Sequence, residues 1–225
     1  MTGERRGIVL QHGDLGPPGV FGDWLRERGI PFEVHAAWRD PLPDVRGIAF
    51  VASLGSVHSV TQTQPAWVPA ELEAVRAAVA ADVPVLGLCF GGQALSAVLG
   101  GGVDRLDQTE IGWITIDSAA PAEVPRGPWL HWHDEIVRVP PGGTPLAHSP
   151  TGPAAFRHGR HLGVQFHPEA TPAIADGWAL ADPALDSRGI TREELAEQGR
   201  RHGAAARDAA FALFDDWWAK GPGGA

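Results

Sequence analysis

Short apolar runs and stretches of helical period alternate along the first hundred residues. Gly7-Ile8-Val9-Leu10-Gln11 is an apolar run of the length expected for a buried strand. Val20 to Arg28 has helical spacing, with Val20, Phe21, Trp24 and Leu25 on one face and Gly29 just past its end. Phe32-Glu33-Val34-His35 alternates as a second strand, and Gly47 to Ala52 is continuously apolar, as a strand covered on both faces would be. Pro69 to Ala81, rich in Ala, Glu and Leu, predicts a helix. Val83 to Leu88 predicts a fourth strand, and Gln93 to Leu99 an apolar helix stopped by Gly100-Gly101-Gly102. Strand, helix, strand, strand, helix, strand, helix is the rhythm of a largely parallel sheet with helices on both faces.

After residue 103 the pattern changes. Trp113 to Ile116, Ile136 to Val139, Ala154 to Phe156 and Leu162 to Phe166 predict strands with short connections, expected as antiparallel additions beside or beyond the main sheet. Ser187 to Trp218 reads as mostly helical. Thr191-Arg192-Glu193-Glu194 is a capping box, and Ala210 to Trp218 forms a last amphipathic helix. Lys220 to Ala225 is expected to be a flexible tail. No internal repeat and no Ser/Gly/Pro linker divides the chain, so residues 1–219 are expected to form a single α/β domain.

Composition narrows the function classes. The 225 residues carry a net charge of −9 and no basic run, which argues against nucleic acid as a partner. The apolar stretches are far shorter than a membrane span, and the residues after Met1 do not form a signal peptide. The expectation is a soluble cytoplasmic protein that touches no membrane. A single cysteine leaves no intramolecular disulfide framework, and the absence of tyrosine removes that residue from any catalytic scheme.

The lone cysteine sits in Val85-Leu86-Gly87-Leu88-Cys89-Phe90-Gly91-Gly92-Gln93. An apolar run ends in a nucleophile with glycine two places to either side, the form of a sharp strand-to-helix turn that lifts one side chain above a sheet. The glycines are expected where side chains would collide in so tight a turn. The free N–H groups at the start of the following helix favour thiolate, and the Phe90 N–H is placed for an oxyanion. Gln165-Phe166-His167-Pro168-Glu169 follows a predicted strand. His167 and Glu169, two apart on extended backbone, can point the same way as base and orienter. A second oxyanion donor is sought in Ala52-Ser53-Leu54-Gly55-Ser56, where Gly55 either permits close backbone approach or only makes a turn. His131-Trp132-His133-Asp134-Glu135 and His158-Gly159-Arg160-His161 hold metal-ligand types without a recognised zinc spacing, so no metal is expected. Alternation on a strand would put His131 and His133 on one face, as pocket lining. His12, His35, His58, His148 and His202 are read as surface or satisfied polar residues.

Gly87-Leu88-Cys89-Phe90-Gly91-Gly92-Gln93 together with Gly163-Val164-Gln165-Phe166-His167-Pro168-Glu169 resembles class I, triad-type glutamine amidotransferases. The likeness extends to Glu110-Ile111-Gly112-Trp113 and Trp132-His133-Asp134, and it is nearest to stand-alone amidotransferase-like and γ-glutamyl-peptidase-like members. The resemblance implies a flavodoxin-like three-layer α/β fold and a Cys89, His167, Glu169 triad. It implies attack of Cys89 on the γ-carbonyl of glutamine or a γ-glutamyl compound, a γ-glutamyl thioester, and release of glutamate with ammonia or an amine, without a cofactor. It assigns substrate contact to Gln93 and the lining of the glutamate pocket to His133, Asp134 and Glu135. Many members have histidine where this chain has Gly92, and a paired-glycine loop where it has Ala52 to Ser56.

Three other readings stay open at this stage. One is a glutaminase subunit delivering ammonia to a separate synthase, since the 225 residues hold no synthase domain. Another is a dienelactone-hydrolase-like esterase with Asp134 as the acid beside His167. The last is a catalytically silent binding or regulatory subunit.

Overall fold

The computed structural model of the protein describes residues 6–224. The chain runs β1 (Gly7–Gln11), α1 (Gly19–Glu27), β2 (Phe32–Ala36), β3 (Val51–Ser53), α2 (Trp67–Ala80), β4 (Val85–Leu88) and α3 (Phe90–Val98). It continues with β5 (Gly102–Ile114), β6 (Asp117–Ser118), β7 (Trp129–Arg138), β8 (Thr144–Ser149), β9 (Gly152–His158) and β10 (His161–Val164). Two helices close it, α4 (Pro172–Ala181) and α5 (Arg192–Lys220). Eight strands form one sheet in the order β2-β1-β3-β4-β10-β9-β8-β6. The first five are mutually parallel and the last three antiparallel. The parallel part has the flavodoxin-like order, which gathers ligands at the carboxyl ends of its strands.

Strand parity sorts the core into two layers. Val9, Ala52, Leu86, Leu88 and Val164 face α1 and α5, where Phe21, Trp24, Phe214 and Trp217 are fully buried. Ile8, Leu10, Val51 and Val85 face the other way, onto Val75 and Ala78 of α2 and Leu95 of α3. Central strands covered on both faces read as unbroken apolar runs, and these do.

Several boundaries differ from the sequence expectation. The third strand is only Val51–Ser53; the run begins at Gly47, whose φ of +76° makes that end a turn. The expected strand at Trp113 is the end of a long β5, and β5 pairs only with β7, as a separate two-stranded ribbon. Residues 102–112 are half-exposed and rich in charge, so they lack the apolar signal of a core strand. The helix α4 was not anticipated, although Thr171 caps it by accepting from the Ile174 N–H at 3.2 Å and Pro172 opens it. The capping box at Thr191 and Glu194 is present and starts one continuous 29-residue helix, so Ala210 to Trp218 is not separate. Lys220 closes that helix and pairs with Asp216, and the carbonyl of buried Gly221 accepts from Arg160 at 2.7 Å. The expected loose tail is therefore anchored at its start.

Candidate active site

Cys89 sits at the carboxyl end of β4, immediately before α3, with φ 51° and ψ −105°. This is a conformation that L residues rarely adopt, and it turns the side chain out of the strand. The flanking glycines are sterically required: a Cβ on Gly87 would strike the backbone of Gly91, and one on Gly91 would strike the Ser53 carbonyl. The Cys89 N–H donates to Val164 O at 2.9 Å, which locks the turn to β10.

The neighbouring strand supplies a histidine. β10 leads into His167, whose N–H donates to Leu130 O of β7 at 2.8 Å. Its Nδ1 is 2.7 Å from Glu169 Oε1, and the Cys89 sulfur is close enough to act on the ring electrostatically. With Nδ1 taken by the carboxylate, Nε2 is left for the sulfur. Burial alone would push the His167 pKa down, but the Glu169 carboxylate and the Cys89 sulfur outweigh it and hold the ring up at about 10. Cys89 and His167 are each 5% exposed, so the pair is almost wholly shielded from solvent. Trp178 of α4 covers one side of the imidazole, its ring centroid 4.8 Å away.

Gly55 borders both groups. A Cβ there would stand 2.5 Å from His167 Cε1 and 3.7 Å from Cys89 Cβ, so the turn after β3 lies against both side chains. Among the described residues, neither the Gly55 N–H nor the Phe90 N–H has a hydrogen-bond partner. Both remain free to face a developing negative charge.

The expected pocket residues disperse. Gln93 Nε2 donates to Glu135 O at 3.1 Å and to Gln165 Oε1 at 3.3 Å, and Gln165 in turn donates to Cys89 Sγ at 3.7 Å. Glu135 accepts from Ser59 Oγ at 2.9 Å. The His133 side chain is buried beside Glu110, at 3.0 Å. Asp134 forms an ion pair with Arg188 at 3.0 Å and accepts from Thr109. Asp134 is thus taken, and His167 is served by Glu169 instead, which overturns the esterase arrangement with Asp134 as the acid.

Residues not singled out from the sequence surround the site. His12, read as an ordinary polar residue, lies just past the carboxyl end of β1 with its side chain buried. Its Nδ1 is 3.0 Å from Gly55 O and its Nε2 2.7 Å from Glu71 Oε2. Glu71 also accepts from Ser53 Oγ at 2.6 Å, and the His12 ring stacks on Trp67. A signal did exist: Val68, Glu71, Val75 and Ala78 form the buried face of α2 at helical spacing, so Glu71 is the one charge on an apolar stripe.

The family model "Glutamine amidotransferase class-I" matches residues 29–185, well over half of the chain. A GMP synthase (glutamine-hydrolyzing) of Ectopseudomonas mendocina is 30% identical over 189 residues, 73% of this chain and 34% of the relative. That of Gloeobacter violaceus is 32% identical over 64% of this chain and 27% of its own length. The chain therefore spans about a third of the curated relatives it matches. The crystal structure of a glutamine amidotransferase from Methylobacillus flagellatus is 27% identical, covers 97% of this chain and 95% of its own, and superposes with a TM-score of 0.86. A glutamine amidotransferase from Thermotoga maritima, at 22% identity, shares the fold with a TM-score of 0.84 over 95% of this chain and 98% of its own. The matched segment, the strand order and these relatives place the chain in one family: it belongs to the class-I glutamine amidotransferases.

Proposed function

We propose that this protein hydrolyses the γ-carboxamide of glutamine, or of a γ-glutamyl compound, through a thioester on Cys89. One observation carries the reading: Cys89 is held at φ 51° against the same Gly55 turn as an imidazole that Glu169 anchors at 2.7 Å. The thiolate adds to the carboxamide carbon, and the oxyanion faces the Phe90 and Gly55 N–H groups. The His167 imidazolium gives its proton to the departing nitrogen, and ammonia or an amine leaves. Water then loses a proton to His167 and attacks the thioester, releasing glutamate and restoring the thiolate. A thiolate nucleophile needs a reduced cysteine, so the reading includes a cytoplasmic setting. No helix among the described residues is long and apolar enough to cross a membrane.

The test is glutamate release from glutamine and from a panel of γ-glutamyl amides by the purified chain. A diazo-ketone glutamine analogue should label wild type stoichiometrically and Cys89→Ala not at all. No turnover of any panel member and no labelling would overturn the reading and leave the silent-subunit alternative.

A second reading, ammonia delivery to a separate synthase, is favoured by the likeness to glutamine-hydrolysing GMP synthases over about a third of their length. It requires glutamine hydrolysis by the isolated chain to be slow and to rise when a synthase partner is added. Fast hydrolysis by the chain alone would oppose it.

A further inference from the structure

The β5/β7 ribbon carries three buried ionisable side chains that the Cys89 centre does not use. Glu110 on β5 is the register partner of His133 on β7, and Gly112 is that of His131. Strand alternation therefore puts Glu110, His131 and His133 on one face. Glu110 Oε2 is 2.9 Å from His131 Nδ1 and 3.0 Å from His133 Nε2, and these ring nitrogens are 3.3 Å apart. All three side chains are at most 3% exposed.

Protons alone serve this triangle poorly. The two nitrogens facing each other can share one N–H between the rings. Glu110 Oε2 then has no donor in line, although two nitrogens lie within 3.0 Å, and it is a buried oxygen without a hydrogen-bond partner. A buried carboxylate oxygen left so is costly. A cation among the three atoms would satisfy all of them. The triangle also has the right size: ligands about 2.1 Å from a metal stand about 3.0 Å apart when cis on an octahedron and about 3.4 Å apart on a tetrahedron.

The charge state of His131 agrees with this. Burial holds the His131 ring below its ordinary value. An ionised carboxylate and a neutral imidazole are the forms that bind metal.

We propose that Glu110, His131 and His133 form a two-histidine, one-carboxylate site for a divalent transition-metal ion of the Zn2+ or Fe2+ type. The ion clamps β5 to β7 one residue beyond Leu130, whose carbonyl receives the His167 N–H. His131 and His133 then serve the ribbon rather than the lining of a pocket.

The experiment uses the full chain with any affinity tag removed, in a Cys89→Ala background so that the sulfur cannot bind the ion. The protein is stripped with chelator and reconstituted anaerobically with Zn2+, Fe2+, Mn2+ or Co2+. Metal content is then measured by mass spectrometry. About one equivalent of at least one ion should be retained after desalting, with Co2+ giving visible d–d bands. Glu110→Gln, close to isosteric, should lose stoichiometric retention, as should His131→Asn, with circular dichroism checking that each is folded. The half-buried His202→Ala variant, on α5, should keep it. Less than about a tenth of an equivalent of every ion in the parent protein would overturn the proposal. So would undiminished retention in folded Glu110→Gln or His131→Asn. Turnover is not the readout, so failure here leaves the Cys89 reading untouched.

Discussion

Two buried histidine–glutamate pairs stand at the same rim of the sheet with the same 2.7 Å separation, and only one of them faces a sulfur. In His167–Glu169 the ring stands beside the Cys89 sulfur, which together with Glu169 raises its pKa. In His12–Glu71 it meets the carbonyl of Gly55, which can only accept. The ring chemistry is identical and the role is set by the third partner. In the proposed mechanism His167 acts on the nucleophile, whereas His12 would hold the Gly55 loop against the site.

The comparison can be broken at several points. The largest effect is expected from Cys89→Ala, which should abolish glutamate release because no other residue can form the thioester; measurable turnover in that variant would end the distinction. Glu169→Gln should lower kcat by about a thousandfold or more while leaving the thermal unfolding curve nearly unchanged, since it deprives the imidazolium of its counter-charge. A wild-type rate there would put the two pairs on the same footing. Gly55→Ala drives a methyl into His167, and a loss of about a hundredfold is expected, read as kcat/KM. His12→Asn keeps one donor for the Gly55 carbonyl and should cost only about tenfold in kcat, with alkylation of Cys89 by iodoacetamide unaltered. A slower alkylation would mean that His12 also acts on the sulfur.

The pH profile sharpens the same contrast. His167 is held above its ordinary value, so the imidazolium is the resident form at neutral pH and is lost only as pH rises through about 10. The alkaline limb of kcat/KM should therefore lie near pH 10 in wild type. It should move to lower pH in Glu169→Gln, where the raising charge is gone, and stay in place in His12→Asn. A limb common to both variants would refute the division of labour.

The two pairs also explain what could be read from the sequence. His167 and Glu169 are two residues apart behind an apolar run, and the Cys89 turn is announced by its glycines, so local chemistry marks each of them. The parallel strands were legible for a similar reason, since a strand buried on both faces is an apolar run. His12 and Glu71 are 59 residues apart and meet only because β1 lies beside β3 and α2 packs across them. No window of sequence contains that. Glu110, His131 and His133 are joined only by the β5/β7 register, and the charged exterior of β5 hid the strand itself.

The depth of the sulfur bears on what can be processed. A cysteine only 5% exposed, flanked by the Gly55 turn and an imidazole against Trp178, leaves little room for a bulky group to approach it. A glutamine rooted in a folded surface brings its own backbone and neighbours to the opening and is stopped there. The protein should therefore leave the glutamines of intact folded proteins unconverted, and a one-dalton mass gain on such a target after incubation would show that the sulfur reaches groups held on a folded surface.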